Sequence, residues 1–312
     1  MGKMNLAEQL RRSIDFRPGT KKRETKANIR SNLKASGLDP KRTQDWRVYS
    51  AADTKALTQM ASQFGRYAQH ELGVKQAKDL RPEHAEKFLE SLRKDGCTAS
   101  TLKKYADRLR HLSECVNHTY KSANLDFSAV KAPKAPAAPK REQMTAEQSS
   151  KVMNCMNECK SKDAVRLARS FGLRVGSTTR IRAKDVDFAK NQLTIYRDKD
   201  GRTRILPIET EAQRELLTRL TEGKAKADRL IDLKPGSVNK SLHRAMERSG
   251  VCQNLLKEKT SVHSIRKLTS QERYDKLRKD GHSKRDAAGS VTEYLGHGRN
   301  RDDLTKIYIA KE

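Results

Sequence analysis

The chain has 312 residues, enough for two domains of ordinary size, and its 67 Lys and Arg against 39 Asp and Glu give a net charge of +28. An excess that large repels itself in the compact state and attracts polyanions, so nucleic acid or an anionic surface is the expected partner. With 35% hydrophobic and 5% aromatic residues, no apolar run near the roughly 18 residues of a spanning helix, and no apolar stretch in the opening "MGKMNLAEQLRRSIDF", the composition argues against a membrane protein and leaves the cytoplasm as the expected compartment.

Residues 1–48 are a basic N-terminal extension that reads as a mobile arm, a helix, or partly disordered chain; "GTKKRETKANIR" is only weakly periodic. From 49 to 130 the pattern is helical. Leu57, Met60, Phe64, Tyr67 and Leu72 follow one stripe, Pro82 opens a helix ahead of Phe88, Leu89 and Leu92, and Leu102, Tyr105, Leu109, Leu112 and Val116 follow another. Three or four amphipathic helices make a small bundle. Lys103, Lys104, Arg108 and Arg110 lie off the last stripe, either as a solvated face or as contacts to DNA phosphates.

The stretch "KAPKAPAAPK", 131 to 140, places Pro133, Pro136 and Pro139 at every third residue, which favours an extended polyproline segment. At about 3.1 Å per residue such a linker, taken as 131–141, reaches roughly 30 Å, more than the width of a DNA duplex. Thr145 with Gln148 is a capping box that opens a helix and with it a second domain, 142–312. In that domain "NQLTIYR" and "TRILPI" are two strands of a hairpin with Asp200 and Gly201 at its turn. Helical patterns return in "VNKSLHRAMERSG", "SIRKLTSQERYDKL" and "DAAGSVTEYLG". The fold class is therefore mainly α with a small antiparallel β-sheet.

Five cysteines scattered over a long chain do not make a disulfide framework and are expected to be reduced. Cys155 and Cys159 could share a helix face, but nothing nearby completes a zinc ligand set.

Five short motifs occur in a particular order: "FGLRVGSTTRIRAKDVDF" (171–188), the hairpin lysine in "RDKDGRTRILPI", "HSIRK" (263–267), "LGHG" (295–298) and "KIYI" (306–309). Singly each is weak; His282 and Arg285 also satisfy H-x-x-R, in a polar loop, and Tyr294 rivals Tyr308 although it follows Val291 on an apolar stripe. Together they resemble the tyrosine recombinases, the integrases of phages and mobile elements. That resemblance implies a helical core-binding domain followed by a catalytic domain, with Arg174, Lys199, His263, Arg266 and His297 around a phosphate and Tyr308 as nucleophile. In two places the chain departs from the family pattern: Ser177 stands where an acidic residue is usual, and the His297 to Tyr308 interval is longer than the common one.

The residue types suit the chemistry. Breaking a phosphodiester builds negative charge on the non-bridging oxygens, and guanidiniums are permanently charged planar forks that match them, the role expected of Arg174 and Arg266. A phenol of pKa about 10 attacks only if its proton is taken or its anion stabilised, for which His263 is the expected base. Lys199 is the expected general acid for the departing 5′ oxygen, and His297 the expected hydrogen-bond donor to the phosphate.

The resemblance further implies a 3′-phosphotyrosyl intermediate, integration or excision of a mobile element, two domains closing on duplex DNA, and a homotetramer on paired recombination sites, with DNA-bending proteins as further partners. No cofactor is called for. A type IB topoisomerase, or a DNA-binding protein with a decayed site, are the alternative readings.

Overall fold

The structure is a computed structural model that describes residues 4–14, 26–38, 48, 51–137, 143–196, 198, 203–253, 260–299 and 301–309. The chain divides into two compact units, Met1–Ala138 and Pro139–Glu312.

In the first unit the apolar stripes become helices. These are α1 (Leu6–Arg12), α2 (Lys26–Ala35), α3 (Ala51–Leu72), α4 (Pro82–Lys94) and α5 (Ala99–Thr119). Pro82 takes the first turn of α4, where its missing N–H costs nothing. Leu57, Met60 and Phe64 of α3 meet Phe88 and Leu89 of α4 and Leu102, Leu109, Leu112 and Val116 of α5 in one core. The Phe64 and Phe88 rings lie 5.2 Å apart.

Residues 6–12 form a helix, one of the readings the sequence left open for this stretch, and pack into the core of the bundle. Asn5 caps α1 by accepting the Glu8 N–H at 2.8 Å, and Leu6 and Leu10 are fully buried in the same core. Burying such side chains contributes about 1.5 to 3 kcal/mol each, enough to hold a two-turn helix that would not persist alone. The close approach depends on Gly65 of α3, where an added Cβ would lie 2.6 Å from Ala7 Cα.

The proline-rich segment also begins inside this unit: Ala132 and Ala135 pack on its core and Pro136 O accepts the Ala99 N–H at 2.9 Å. Pro139 lies outside the described residues. On α5, Lys103 and Lys104 are exposed, Arg108 is half-buried, and Arg110 is ion-paired with Asp107.

The second unit opens with the capping box read from the sequence, Thr145 and Gln148 exchanging bonds of 2.9 and 3.1 Å at the start of α6 (Ala146–Asn154). It continues with α7 (Lys160–Phe171) and the single turn α8 (Val175–Thr178). A three-stranded antiparallel sheet follows, β1 (Val186–Asp187), β2 (Gln192–Ile195) and β3 (Arg204–Pro207), in the order β1-β2-β3. β1 is an addition to the hairpin expected from sequence.

Leu193 pairs with Leu206, and both point inward. Then come α9 (Glu211–Thr221), α10 (Pro235–Arg248), α11 (Val262–Lys279), α12 (Lys284–Tyr294) and α13 (Asp302–Tyr308). The fold is mainly helical with a small antiparallel sheet. Phe171, Leu193, Leu206, Leu242 and Ile265 belong to its main core, and Tyr274, Val291, Leu295 and Tyr308 to a second cluster. No helix among the described residues is long and apolar enough to cross a membrane. All five cysteines are unpaired thiols, and no three potential metal ligands cluster among the described residues.

Candidate active site

Helix ends carry the polar residues of the second unit's site. Helix α7 stops at Gly172, whose left-handed conformation (φ 57°, ψ 37°) reverses the chain, buries Leu173 and leaves Arg174 extended at the cap of α8. Helix α11 starts at Ser261, whose hydroxyl accepts the His263 N–H at 3.2 Å. His263 therefore sits in the first turn with Arg266 three residues on, on the same side. Helix α12 ends at Tyr294, and Gly296 (φ 78°) turns the chain so that His297 faces back. An added Cβ at Gly296 would lie 2.9 Å from Arg204 Cδ, so the residue must be glycine for Arg204 to pass. Tyr308 is the last residue of α13.

Five of the six expected residues converge. Tyr308 Oη is 3.3 Å from His297 Nε2, and the same nitrogen is 2.9 Å from Arg174 Nη2. The His263 and His297 rings lie 5.4 and 5.6 Å from the Tyr308 ring, and the Arg266 guanidinium carbon is 5.4 Å from it. Lys199 lies outside the described residues. A guanidinium only donates, so the 2.9 Å contact gives His297 Nε2 the role of acceptor and puts the ring proton on Nδ1. The Tyr308 hydroxyl shares that single lone pair at the longer distance of 3.3 Å. His297 Nε2 is thus within hydrogen-bonding distance of the phenol, with the His263 ring beside it.

Arg266 is completely buried. It donates to the carbonyls of Gly172 and, at 2.8 Å, Leu295, so one side chain joins the ends of α7 and α12 behind the tyrosine. Burial, reinforced by the Arg174 charge, draws its pKa down to about 9, which leaves it cationic at neutral pH.

The sequence reading missed Asp198 and Arg204. The Asp198 carboxylate is buried and accepts from Arg174 Nη1, Arg204 Nε and Ser177 Oγ, each at 2.9 Å. Burial alone would raise its pKa, but the Arg204 and Arg174 charges and these hydrogen bonds outweigh that and bring it to about 2. Arg204 spends a further donor on Tyr294 O at 2.5 Å, while its Nη2 and Arg266 Nε are buried without an acceptor in hydrogen-bonding geometry among the described residues. Three guanidiniums against one bonded carboxylate leave a surplus of positive charge around Tyr308, which suits an anion with more than one negative charge.

The rival residues stand elsewhere. Tyr294 packs into the core with Arg273 stacked 3.9 Å over its ring, and burial raises its pKa. His282 and Arg285 are exposed.

An end-of-helix tyrosine faces two histidines, the half-buried Arg174 and the buried Arg266, and the profile of the phage integrase family matches residues 142–312, more than half of the chain. The chain belongs to the phage integrase family, the tyrosine recombinases.

Among phage integrase relatives, tyrosine recombinase XerA of Saccharolobus solfataricus is 31% identical over 104 residues, which spans 33% of this chain and 35% of that protein, about a third of the relative's length. Two solved structures share the fold. A lambda integrase dimer bound to a COC′ core site has a TM-score of 0.62 at 16% identity, covering 91% of this chain and 75% of that one. A lambda integrase tetramer bound to a Holliday junction has a TM-score of 0.60 at 17% identity, covering 89% and 77%.

Proposed function

We propose that this member of the phage integrase family is a site-specific DNA recombinase that cuts and rejoins duplex DNA through a 3′-phosphotyrosyl intermediate, integrating or excising a mobile element. The observation that carries the reading is the convergence of Tyr308, His297, Arg174 and Arg266 within one unit.

In the proposed reaction the Tyr308 oxygen attacks a DNA phosphorus, the bond from phosphorus to the 5′ oxygen breaks, and a phosphotyrosyl ester and a free 5′-hydroxyl result. The phenol proton passes to His297 Nε2, the acceptor it already faces, with His263 beside the ring as the second candidate base. Arg174 and Arg266 hold the phosphate oxygens as charge accumulates on them. Lys199 protonates the leaving oxygen. Because the ester conserves the energy of the broken bond, a 5′-hydroxyl from a second strand reverses the step without ATP. The net charge of +28 and the exposed Lys103 and Lys104 on α5 favour phosphate contacts by the first unit, with Arg108 and Arg110 beside them. A homotetramer pairing two sites in the cytoplasm is the proposed working form; the lambda integrase tetramer on a Holliday junction supports it by analogy.

The test is a nicked suicide duplex carrying a recombination site from the flanks of the encoding element. Wild-type protein yields a covalent adduct, Tyr294→Phe still yields it, and Tyr308→Phe does not. An adduct that survives Tyr308→Phe, or none from the wild type, overturns the reading. Relaxation of a supercoiled plasmid that lacks any recombination site would instead favour a type IB topoisomerase.

A further inference from the structure

Ser177 occupies the position where the family usually has an acidic side chain, yet the site still holds a buried carboxylate. It comes from the hairpin: Asp198 Oδ1 accepts the Ser177 hydroxyl at 2.9 Å, while Oδ2 takes Arg174 Nη1 and Arg204 Nε, both at 2.9 Å. We propose that Asp198 is the positioning residue of this active site, supplying from the hairpin the carboxylate that residue 177 lacks and so fixing the Arg174 fork against His297 and Tyr308. The proposal rests on the recombinase reading above.

The geometry carries it. An arginine side chain has four rotatable bonds before its planar group, and an unanchored guanidinium spreads over many orientations. Asp198 removes that freedom at Nη1, which turns Nη2 toward His297 Nε2 at 2.9 Å. The carboxylate is itself held from its other oxygen, and its side chain is only 4% exposed, so water does not compete for it. Arg204 completes the frame: its Nε shares Oδ2, its Nη1 reaches Tyr294 O, and its chain passes over Gly296, the residue before His297. Asp198 thereby bonds to the arginine expected to bind phosphate and to the arginine that packs on the histidine turn. Its hydrogen bonds go to Arg174, Arg204 and Ser177, so it acts through Arg174.

Three variants test this, assayed in the full-length protein with the suicide duplex, together with DNA affinity and thermal melting. Asp198→Asn keeps the shape and leaves an oxygen for the two guanidiniums, with its amide donating to the Ser177 hydroxyl, but removes the charge that anchors them. Adduct formation is expected to slow by about 100-fold, the scale of a misplaced catalytic group, with affinity for the duplex within about threefold of wild type. Ser177→Ala, which only frees Oδ1, is expected to slow it by about threefold to tenfold. The exchange variant, Ser177→Asp with Asp198→Ser, returns a carboxylate across the same hydrogen bond and is expected to recover at least about tenfold over Asp198→Asn.

Recovery by exchange is the result a merely structural aspartate would not produce. Asp198→Asn at wild-type rate, or a slow Asp198→Asn with a lowered melting temperature and no recovery on exchange, overturns the proposal while leaving the recombinase reading intact. A wild-type protein that forms no adduct removes both.

Discussion

His297 and Tyr308 meet through a single ring nitrogen, Nε2, which faces the phenol oxygen at 3.3 Å and the Arg174 guanidinium at 2.9 Å. Because guanidinium can only donate, that nitrogen is an acceptor before any substrate arrives. In the proposed reaction this nitrogen takes the phenol proton once Arg174 Nη2 turns to a phosphate oxygen, and the arginine beside it favours the anion left behind.

If His297 is the proton acceptor, His297→Ala should slow adduct formation by about 100-fold or more, in the range of general-base losses, and His263→Ala by clearly less. Single-turnover cleavage at several pH values decides it. A larger loss at His263 than at His297 would return the base role to His263.

Asp198 gives the fold a defined acid limit. Its folded pKa, about 2, is below the ordinary value of 3.8, so ionised Asp198 stabilises the native state above the unfolded pKa and that stabilisation is lost as pH falls from about 4 toward 2. The contribution is on the order of 2 kcal/mol. Urea unfolding of wild type and Asp198→Asn across this interval should show the difference between them shrinking as the solution is acidified. A difference that stays constant down to pH 2 would contradict the assignment.

Gly65 is where α1 crosses α3. Gly65→Ala should favour the isolated α3 helix yet destabilise the protein by about 1 to 3 kcal/mol, because the new methyl would lie 2.6 Å from Ala7 Cα and 2.9 Å from its nitrogen, and backbone must shift to admit it. Hydrogen exchange of the α1 amides would rise in the variant, whereas unchanged protection would mean that α1 accommodates the methyl.

Lys103 and Lys104 are exposed on α5, while Arg110 is held by Asp107. Replacing each lysine by Ala should lower the slope of log affinity against log salt by about 1, and Arg110→Ala by less, since its charge is already partly compensated. Duplex binding measured over a salt series reads the slopes directly; equal slopes for all variants would remove α5 from the interface.

The sequence by itself determined much of this protein. Stripes such as Leu57, Met60 and Phe64 located the helices, because helical periodicity is a local property of apolar spacing. The Thr145 and Gln148 box marked the first helix of the second unit, and five ordered motifs pointed to Arg174, Lys199, His263, Arg266, His297 and Tyr308, all but Lys199 among the described residues.

What the tertiary structure alone decided is where charges meet. Arg204 looks like one more surface cation among 67 basic residues, and an apolar reading of "TRILPI" would send Ile205 inward. The pairing of Leu193 with Leu206 reverses that, burying Arg204 and exposing Ile205, since one strand face must carry residues 204 and 206 together. Asp198 was hidden for a similar reason. Its importance comes from three donors contributed by residues 174, 177 and 204, and no local pattern in a chain records a contact made by folding.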